Sequence, residues 1–519
     1  MLRPRGTLRT VELDDLHDVQ LLETPLDADT AARAAAHADA GGAVLVVPTQ
    51  NDPLAAELCG VDIVDHLPTT EWFVTLTDRP EARRLDGETP ITSALTLLRP
   101  THDDTVAAAT TSVRFEHHPT ITVRQRGAGR VVALGVTDVD AVRHHPTIGR
   151  FVARLLQGGV PSSPRTLGLG VVGYGPFGGM GYLHGLAATE TDGLAFVAAA
   201  DPVQARLDAA RDDFADVAAY LDAESLAADP DVDIAVVATP PAHHAELATT
   251  LLRAGKHVVV EKPMCLDPAD ADALIATATE HDRVITVHQS RRWDRDVLAL
   301  GALIAAGEIG DVFNIETFVG GFEHPCRAWH SEETISGGAV YDWGSHHVDW
   351  ILQLFGQAPQ RVMCTTHQRV WHDSTNVDQL ALWMQWPDGR EATFRQSDIC
   401  AIRRPKFHVE GTAGTIEGHY RPLRHDSVEP GRGHVEHTSH HAEAPVDLTM
   451  VRYGGANQLI ESHHAPAAHP GWGFHHNLAD HLQFDEPLAV PPEQSRDVVR
   501  VLEAGHRSGA SGGVPIELG

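Results

Sequence analysis

The strongest constraint on this chain's fold lies in one short junction. An apolar run from Leu167 to Val172 leads directly into Gly173-Tyr174-Gly175-Pro176-Phe177-Gly178, which opens a helical pattern. In that setting Gly173 permits a tight turn, Gly175 lets backbone approach a pyrophosphate, and Gly178 allows close packing of helix on strand. Phe177 sits within the same loop, and the anion rests on the helix N-terminus. A glycine triplet means little without the flanking strand and helix, and both are present. Further apolar runs at Leu194 to Ala200, Ile234 to Ala238 and His257 to Val260 alternate with helical patterns at Val203 to Phe214, His243 to Ala254 and from about Asp267. Such alternation predicts a doubly wound parallel sheet that binds a dinucleotide.

After about Val287 the rhythm changes. Longer strand-like runs, Val312 to Val319, Leu380 to Trp386, Ala392 to Gln396 and Lys406 to Glu410, suit an antiparallel sheet. Upstream, Ala43 to Pro48 and Arg130 to Gly135 read as buried strands, and Asp27 to Ala40 as an Ala-rich helix stopped by Gly41-Gly42. A cluster of breakers at 158–165 separates the halves. The expected organisation is an α/β domain over 1–158, a linker over 159–165, a Rossmann domain over 166–286 and an α/β domain with a large sheet over 287–519.

A chain of 519 residues exceeds what one core usually fills. Its net charge of −31 leaves no basic stripe to neutralise phosphates, so no nucleic-acid or anionic-membrane partner is expected. Five cysteines, Cys59, Cys265, Cys326, Cys364 and Cys400, show no CxxC spacing, and no disulfide is predicted. No apolar run approaches membrane-spanning length, and a cytoplasmic protein is expected. The His-rich stretch from His419 to His441 reads as an exposed loop because its spacing is irregular and rich in Gly, Pro and Arg. No metal ligand set is assigned.

At the end of the second Rossmann strand stands Asp201, where a carboxylate accepts hydrogen bonds from adenosine ribose hydroxyls and repels a 2′-phosphate. NAD is therefore expected ahead of NADP. The same aspartate also suits the cap of the following helix.

The segments Thr239-Pro240-Pro241-Ala242-His243-His244 and Val260-Glu261-Lys262-Pro263, with Gly337-Gly338-Ala339-Val340-Tyr341-Asp342-Trp343-Gly344-Ser345-His346, extend the reading. From about Thr166 onward the chain resembles the glucose-fructose oxidoreductase, inositol dehydrogenase and MocA (Gfo/Idh/MocA) family. The resemblance implies that Thr239, Pro240, His244, Glu261 and Lys262 line the cofactor site and that the Lys262-Pro263 bond is cis. It also implies that the open C-terminal sheet makes homodimers or homotetramers.

Lys262, extended before a proline at a strand's carboxyl end, suits stabilisation of a developing alkoxide. Asp342 and His346, at i and i+4, share one helical face; His346 serves as general base and Asp342 orients. His347 points about 100° away and is kept, with His330, as a further candidate substrate contact. Arg292 matches a frequent family arginine near the substrate, with a surface salt bridge as the other reading, and His330 stands where an arginine is frequent. The implied activity is hydride transfer between NAD and a secondary alcohol or ketone of a sugar, glycoside or cyclitol. A glycosidase or lyase using NAD for transient oxidation, and a non-catalytic NAD and sugar sensor, are the alternatives. With Gly41-Gly42-Ala43-Val44-Leu45-Val46-Val47-Pro48, Thr70-Glu71-Trp72-Phe73 and Gly127-Ala128-Gly129-Arg130-Val131-Val132, the chain over about Leu26 to Leu156 resembles, more weakly, ThuA-like domains related to class I glutamine amidotransferases. Cys59 lacks the glycine-flanked elbow of their nucleophile, so no amidotransferase activity is expected.

Overall fold

A computed structural model describes residues 19–518, apart from 23–24, 50–51, 78, 83–84, 86–87, 115, 146, 158–164, 177–178, 326–327, 421–422, 430, 432, 440–443, 456–457, 468–470 and 485. Phe177 and Gly178, expected at the cofactor, fall outside the described residues, as does most of the expected linker. The chain divides into two compact units, with the division between residues 164 and 165.

The first unit is built on a seven-stranded sheet ordered Val19–Leu22, Ala43–Val46, Gly129–Leu134, Glu116–Arg126, Thr105–Val113, Val61–Leu76, Glu88–Pro100. The first three strands run parallel and the rest antiparallel. The expected Ala-rich helix spans Ala28–Asp39, and the Asp27 carboxylate caps it by accepting the Thr30 N–H at 2.7 Å. Helix Ile148–Gln157 buries Ile148, Phe151, Val152 and Leu155 in the core of the sheet. Cys59 is buried, and burial pushes its thiol up, away from the reactive thiolate.

The second unit holds two sheets. A six-stranded parallel sheet runs Ala218–Tyr220, Leu194–Ala200, Leu167–Val172, Ile234–Val237, His257–Val260, Ile285–Val287. All six residues of Leu167–Val172 are buried, because this strand lies inside a sheet covered on both faces. The order reverses between Leu167–Val172 and Ile234–Val237, and the crevice at such a switch point is where doubly wound sheets take ligands.

The other sheet has nine strands, ordered Leu459–His464, Asp447–Tyr453, Gly414–His419, Phe407–Gly411, Val312–Gly320, Glu391–Ser397, Gln379–Gln385, Arg361–His367, Ile516–Glu517. Only Val312–Gly320 and Glu391–Ser397 pair in parallel. In Gln379–Gln385 the residues alternate buried and half-buried, with helices Gly344–Phe355 and Pro492–Ala510 against the buried face.

One expectation needs correcting. The His-rich stretch is not a loop but a two-stranded ribbon, Leu423–Glu429 with Gly433–Ser439, whose breakers make its turn, Gly431 and Gly433 both having positive φ. Residues from beyond the expected Rossmann domain also pack on its core: Phe474, Leu478 and Ala479 of helix Gly473–Phe484, with Val490 and Val499. Among the described residues no helix is long and apolar enough to cross a membrane.

Candidate active site

Gly173 has φ +90°, and a Cβ there would lie 2.8 Å from Thr239 Cγ2, so the turn after the first Rossmann strand admits only glycine. Gly175, at φ +77°, is open on its Cβ side, which leaves room for a phosphate against its backbone. The Asp201 carboxylate accepts from the Gly175 N–H at 3.1 Å and the Val203 N–H at 2.9 Å, and pairs with Arg206 at 3.3 Å. Asp201 is 2% exposed and ties the glycine loop to the turn that leads into the next helix. Thr239 Oγ1 is buried without a partner, as a group awaiting a ligand would be. Pro240 follows in a half-buried turn. These features fit a bound dinucleotide.

His244, expected to line that site, is fully buried and works through the backbone. Its Nε2 lies 2.7 Å from the Thr239 carbonyl and its Nδ1 2.8 Å from the Pro263 carbonyl, so it staples two loops together. Glu261 is also buried and accepts the Lys262 N–H at 3.1 Å. The Lys262-Pro263 bond is cis, as the resemblance implies.

Lys262 Nζ donates to Asp342 Oδ1 at 2.8 Å and sits 3.3 Å from the Asp342 carbonyl. Asp342 ends the short helix Ala339–Asp342, seated on the loop after Lys262 by a 2.8 Å bond from the Tyr341 hydroxyl to the Leu266 carbonyl. The helical path passes through Trp343 into Gly344–Phe355, which carries His346 one turn on. Burial pushes the Asp342 carboxyl up, but the Lys262 ammonium, with His330 and Arg291, more than offsets this and holds it below its usual range. His346 is held well below its usual value, first by burial and then by the charges of Lys262 and Arg291. Its Nδ1 is buried with no protein partner. A neutral, desolvated imidazole beside an ammonium–carboxylate pair can remove a proton from a hydroxyl held between them.

A cavity of about 200 Å³ opens beside Asp342, lined by His330, Trp343, Asn376, Gln396, Asp398 and Arg403. His330 stacks on Trp329 with centroids 3.6 Å apart and presents its ring to this cavity. Asn376, Gln396, Asp398 and Arg403 escape sequence reasoning, because no motif marks residues that strand ends and loops bring in from the large sheet. Burial raises the Asp398 carboxyl to about 7, against the pull of its Gln396 hydrogen bond, and the nearby Asp342 charge adds to the rise.

Two expected substrate contacts lie elsewhere. Arg292 is buried in a two-bonded pair with Asp349, at 2.6 and 2.8 Å, and also donates to the Ala489 carbonyl at 2.7 Å. It clamps helices together, a tighter version of the salt-bridge reading. His347 stacks on Phe394 at 4.6 Å and lies against Trp350 at 4.7 Å, facing the sheet core.

Fold and site define a dinucleotide-dependent oxidoreductase. The description "Oxidoreductase family, NAD-binding Rossmann fold" of the Gfo/Idh/MocA family matches residues 167–289, and the family's C-terminal domain matches residues 297–417. Over these residues the chain matches both domains of the Gfo/Idh/MocA family, and it is an NAD(P)-dependent dehydrogenase of that type, with NAD as the expected cofactor. A scyllo-inositol 2-dehydrogenase (NADP(+)), IolW of Bacillus subtilis (strain 168), is 26% identical over 349 residues, covering 66% of this chain and 94% of the relative. A 1,5-anhydro-D-fructose reductase of Ensifer adhaerens is 26% identical over 247 residues, covering 47% of this chain and 74% of the relative. The structure of an NAD-binding protein from Listeria innocua superposes with a TM-score of 0.57 at 26% identity, covering 68% of this chain and 97% of that one.

Proposed function

We propose that the enzyme transfers hydride between NAD and a secondary alcohol or ketone of a sugar, glycoside or cyclitol. The observation that carries this reading is the 2.8 Å pair of Lys262 and Asp342 at the cavity edge, one helical turn before the buried, neutral His346. The nicotinamide supplies or accepts the hydride. In the oxidation direction His346 accepts the hydroxyl proton, Lys262 holds the developing oxyanion, and Asp342 fixes the ammonium while accepting a hydrogen bond from a neighbouring hydroxyl. The cavity combines a donor, Arg403, with acceptors, Asp342, Asp398 and the unpartnered amide oxygens of Asn376 and Gln396, which suits a polyhydroxylated ring. The relatives whose names print an inositol and an anhydrofructose support the same substrate class.

The test combines the purified protein and NAD with a panel of sugars, glycosides and cyclitols, following nicotinamide absorbance and product mass. Reduced nicotinamide with a product two hydrogens lighter is the expected result. Product without net reduction would replace this reading with transient oxidation by a glycosidase or lyase.

The half-buried face of the nine-stranded sheet, including Met363, Trp383 and Thr393, is proposed as the surface on which two copies associate. For the first unit we propose a ThuA-like sugar-binding or architectural role. It fails if the isolated unit does not fold and its deletion leaves activity and assembly unchanged.

A further inference from the structure

A second cluster of titratable side chains lies in the Rossmann half, outside the hydride-transfer machinery. His184 comes from helix Met180–Glu190, His288 follows strand Ile285–Val287, and His475 comes from helix Gly473–Phe484. Their exposures are 0%, 7% and 2%, and one ring nitrogen from each lies within 4.8 Å of the other two. The ring centroids are 4.4 Å (His184 to His288), 5.2 Å (His184 to His475) and 5.4 Å (His288 to His475) apart. Three imidazoles on one tetrahedral ion, each bonded at about 2.0–2.1 Å, put their centroids about 5 Å from one another.

The hydrogen bonds around the cluster settle which nitrogens are available. A Glu261 carboxylate oxygen faces His184 Nε2 at 3.0 Å and His288 Nδ1 at 2.7 Å. An ionised carboxylate only accepts, so both of those nitrogens carry hydrogen. The lone pairs of neutral rings then fall on Nδ1 of His184 and Nε2 of His288. His184 Nδ1 lies 3.0 Å from His475 Nε2, a separation that fits one bridging proton and is close to that of two ligands on one ion. A ring that gives one nitrogen to a metal while donating its other N–H to a carboxylate is the usual arrangement of metal-binding histidine. Glu261 serves two rings in this way at once.

We propose that His184 Nδ1, His288 Nε2 and His475 Nε2 bind one divalent cation of the zinc class, with Glu261 as the carboxylate that orients two of the three rings. Imidazole donors select this class over calcium or magnesium, which take oxygen. The proton between His184 and His475 moves to Nδ1 of His475 on binding, so all three rings stay neutral. The same Glu261 side chain accepts the Lys262 N–H through its other oxygen, so a bound ion stiffens the segment that presents the catalytic lysine.

The full-length protein, stripped with chelator and dialysed against zinc, is analysed for metal alongside His288→Phe and His475→Phe. With 34 histidines in the chain, loosely held surface zinc is removed by a weak competing chelator before measurement. The expected result is about one zinc retained per wild-type chain and almost none in either variant, with zinc raising the thermal midpoint of the wild type alone. Cobalt(II) gives a reading that needs no variant: the wild type should develop the intense visible bands of a tetrahedral site. Equal zinc retention in wild type and variants, or a wild type without those bands, overturns the proposal and leaves a hydrogen-bonded cluster only. None of these readouts uses turnover, so failure of the proposed substrate class would not affect them.

Discussion

Lys262 meets its counter-ion across 80 positions of sequence, and the pair divides binding from chemistry. Lys262→Ala or His346→Ala should lower kcat by about a hundredfold or more while the Kd for NAD changes only a few-fold, read by steady-state kinetics beside calorimetric titration. His346 acts as a base only when neutral, so its lowered pKa places the acid limb of kcat/KM below the usual histidine value. Arg291→Gln removes one of the charges that lower it, and should move that limb to higher pH. Asp398 supplies a stability counterpart. Its raised pKa means the folded state holds a proton that the unfolded chain has released, so stability falls as pH rises from about 4 through about 7. Asp398→Asn should therefore gain up to roughly 4 kcal/mol over the wild type at pH 8 and almost nothing at pH 4, measured by denaturant titration.

At the scale of elements, what a local pattern controls is legible in sequence and what tertiary packing controls is not. Leu167–Val172, Leu194–Ala200 and His257–Val260 have the expected ends, because apolar runs bounded by glycine, aspartate or lysine leave little room for error. The ribbon at 423–439 is misread because a polar hairpin and a polar loop share one composition. For Arg292 the salt-bridge reading is the one the structure shows, and His347 faces the sheet core, because the direction of a helix face, not a motif, decides where a side chain points. The Lys262 and Asp342 side chains pair, with His346 one helical turn on, while Asp398 and Arg403 reach the cavity from a strand end and a loop of the large sheet. Lys406 and Asp296 show how far packing can carry polar groups. Their 2.6 Å pair is at most 1% exposed and joins helix Arg295–Ala305 to the strand edge at Phe407–Gly411, with the ammonium over Trp350 at 5.2 Å. Asp296→Ala strands a buried charge and should cost about 3–5 kcal/mol by chemical denaturation.

For the whole molecule, the alternation of strand and helix announces the parallel sheet, and the change of rhythm after about 287 announces a second sheet. Neither announces that helices from the end of the chain pack onto the core of the first sheet. If two copies associate through the half-buried face of the nine-stranded sheet, Trp383→Lys should shift the sedimentation coefficient to that of a single chain without loss of folded signal. The return of helix Gly473–Phe484 to the first sheet also bears on how the protein is made. A ribosome delivers the six parallel strands long before it delivers Phe474 and Leu478, so the nucleotide half emerges with an apolar flank uncovered. That half must wait, exposed to chaperones and to its neighbours on the polysome, until nearly two hundred further residues have been synthesised.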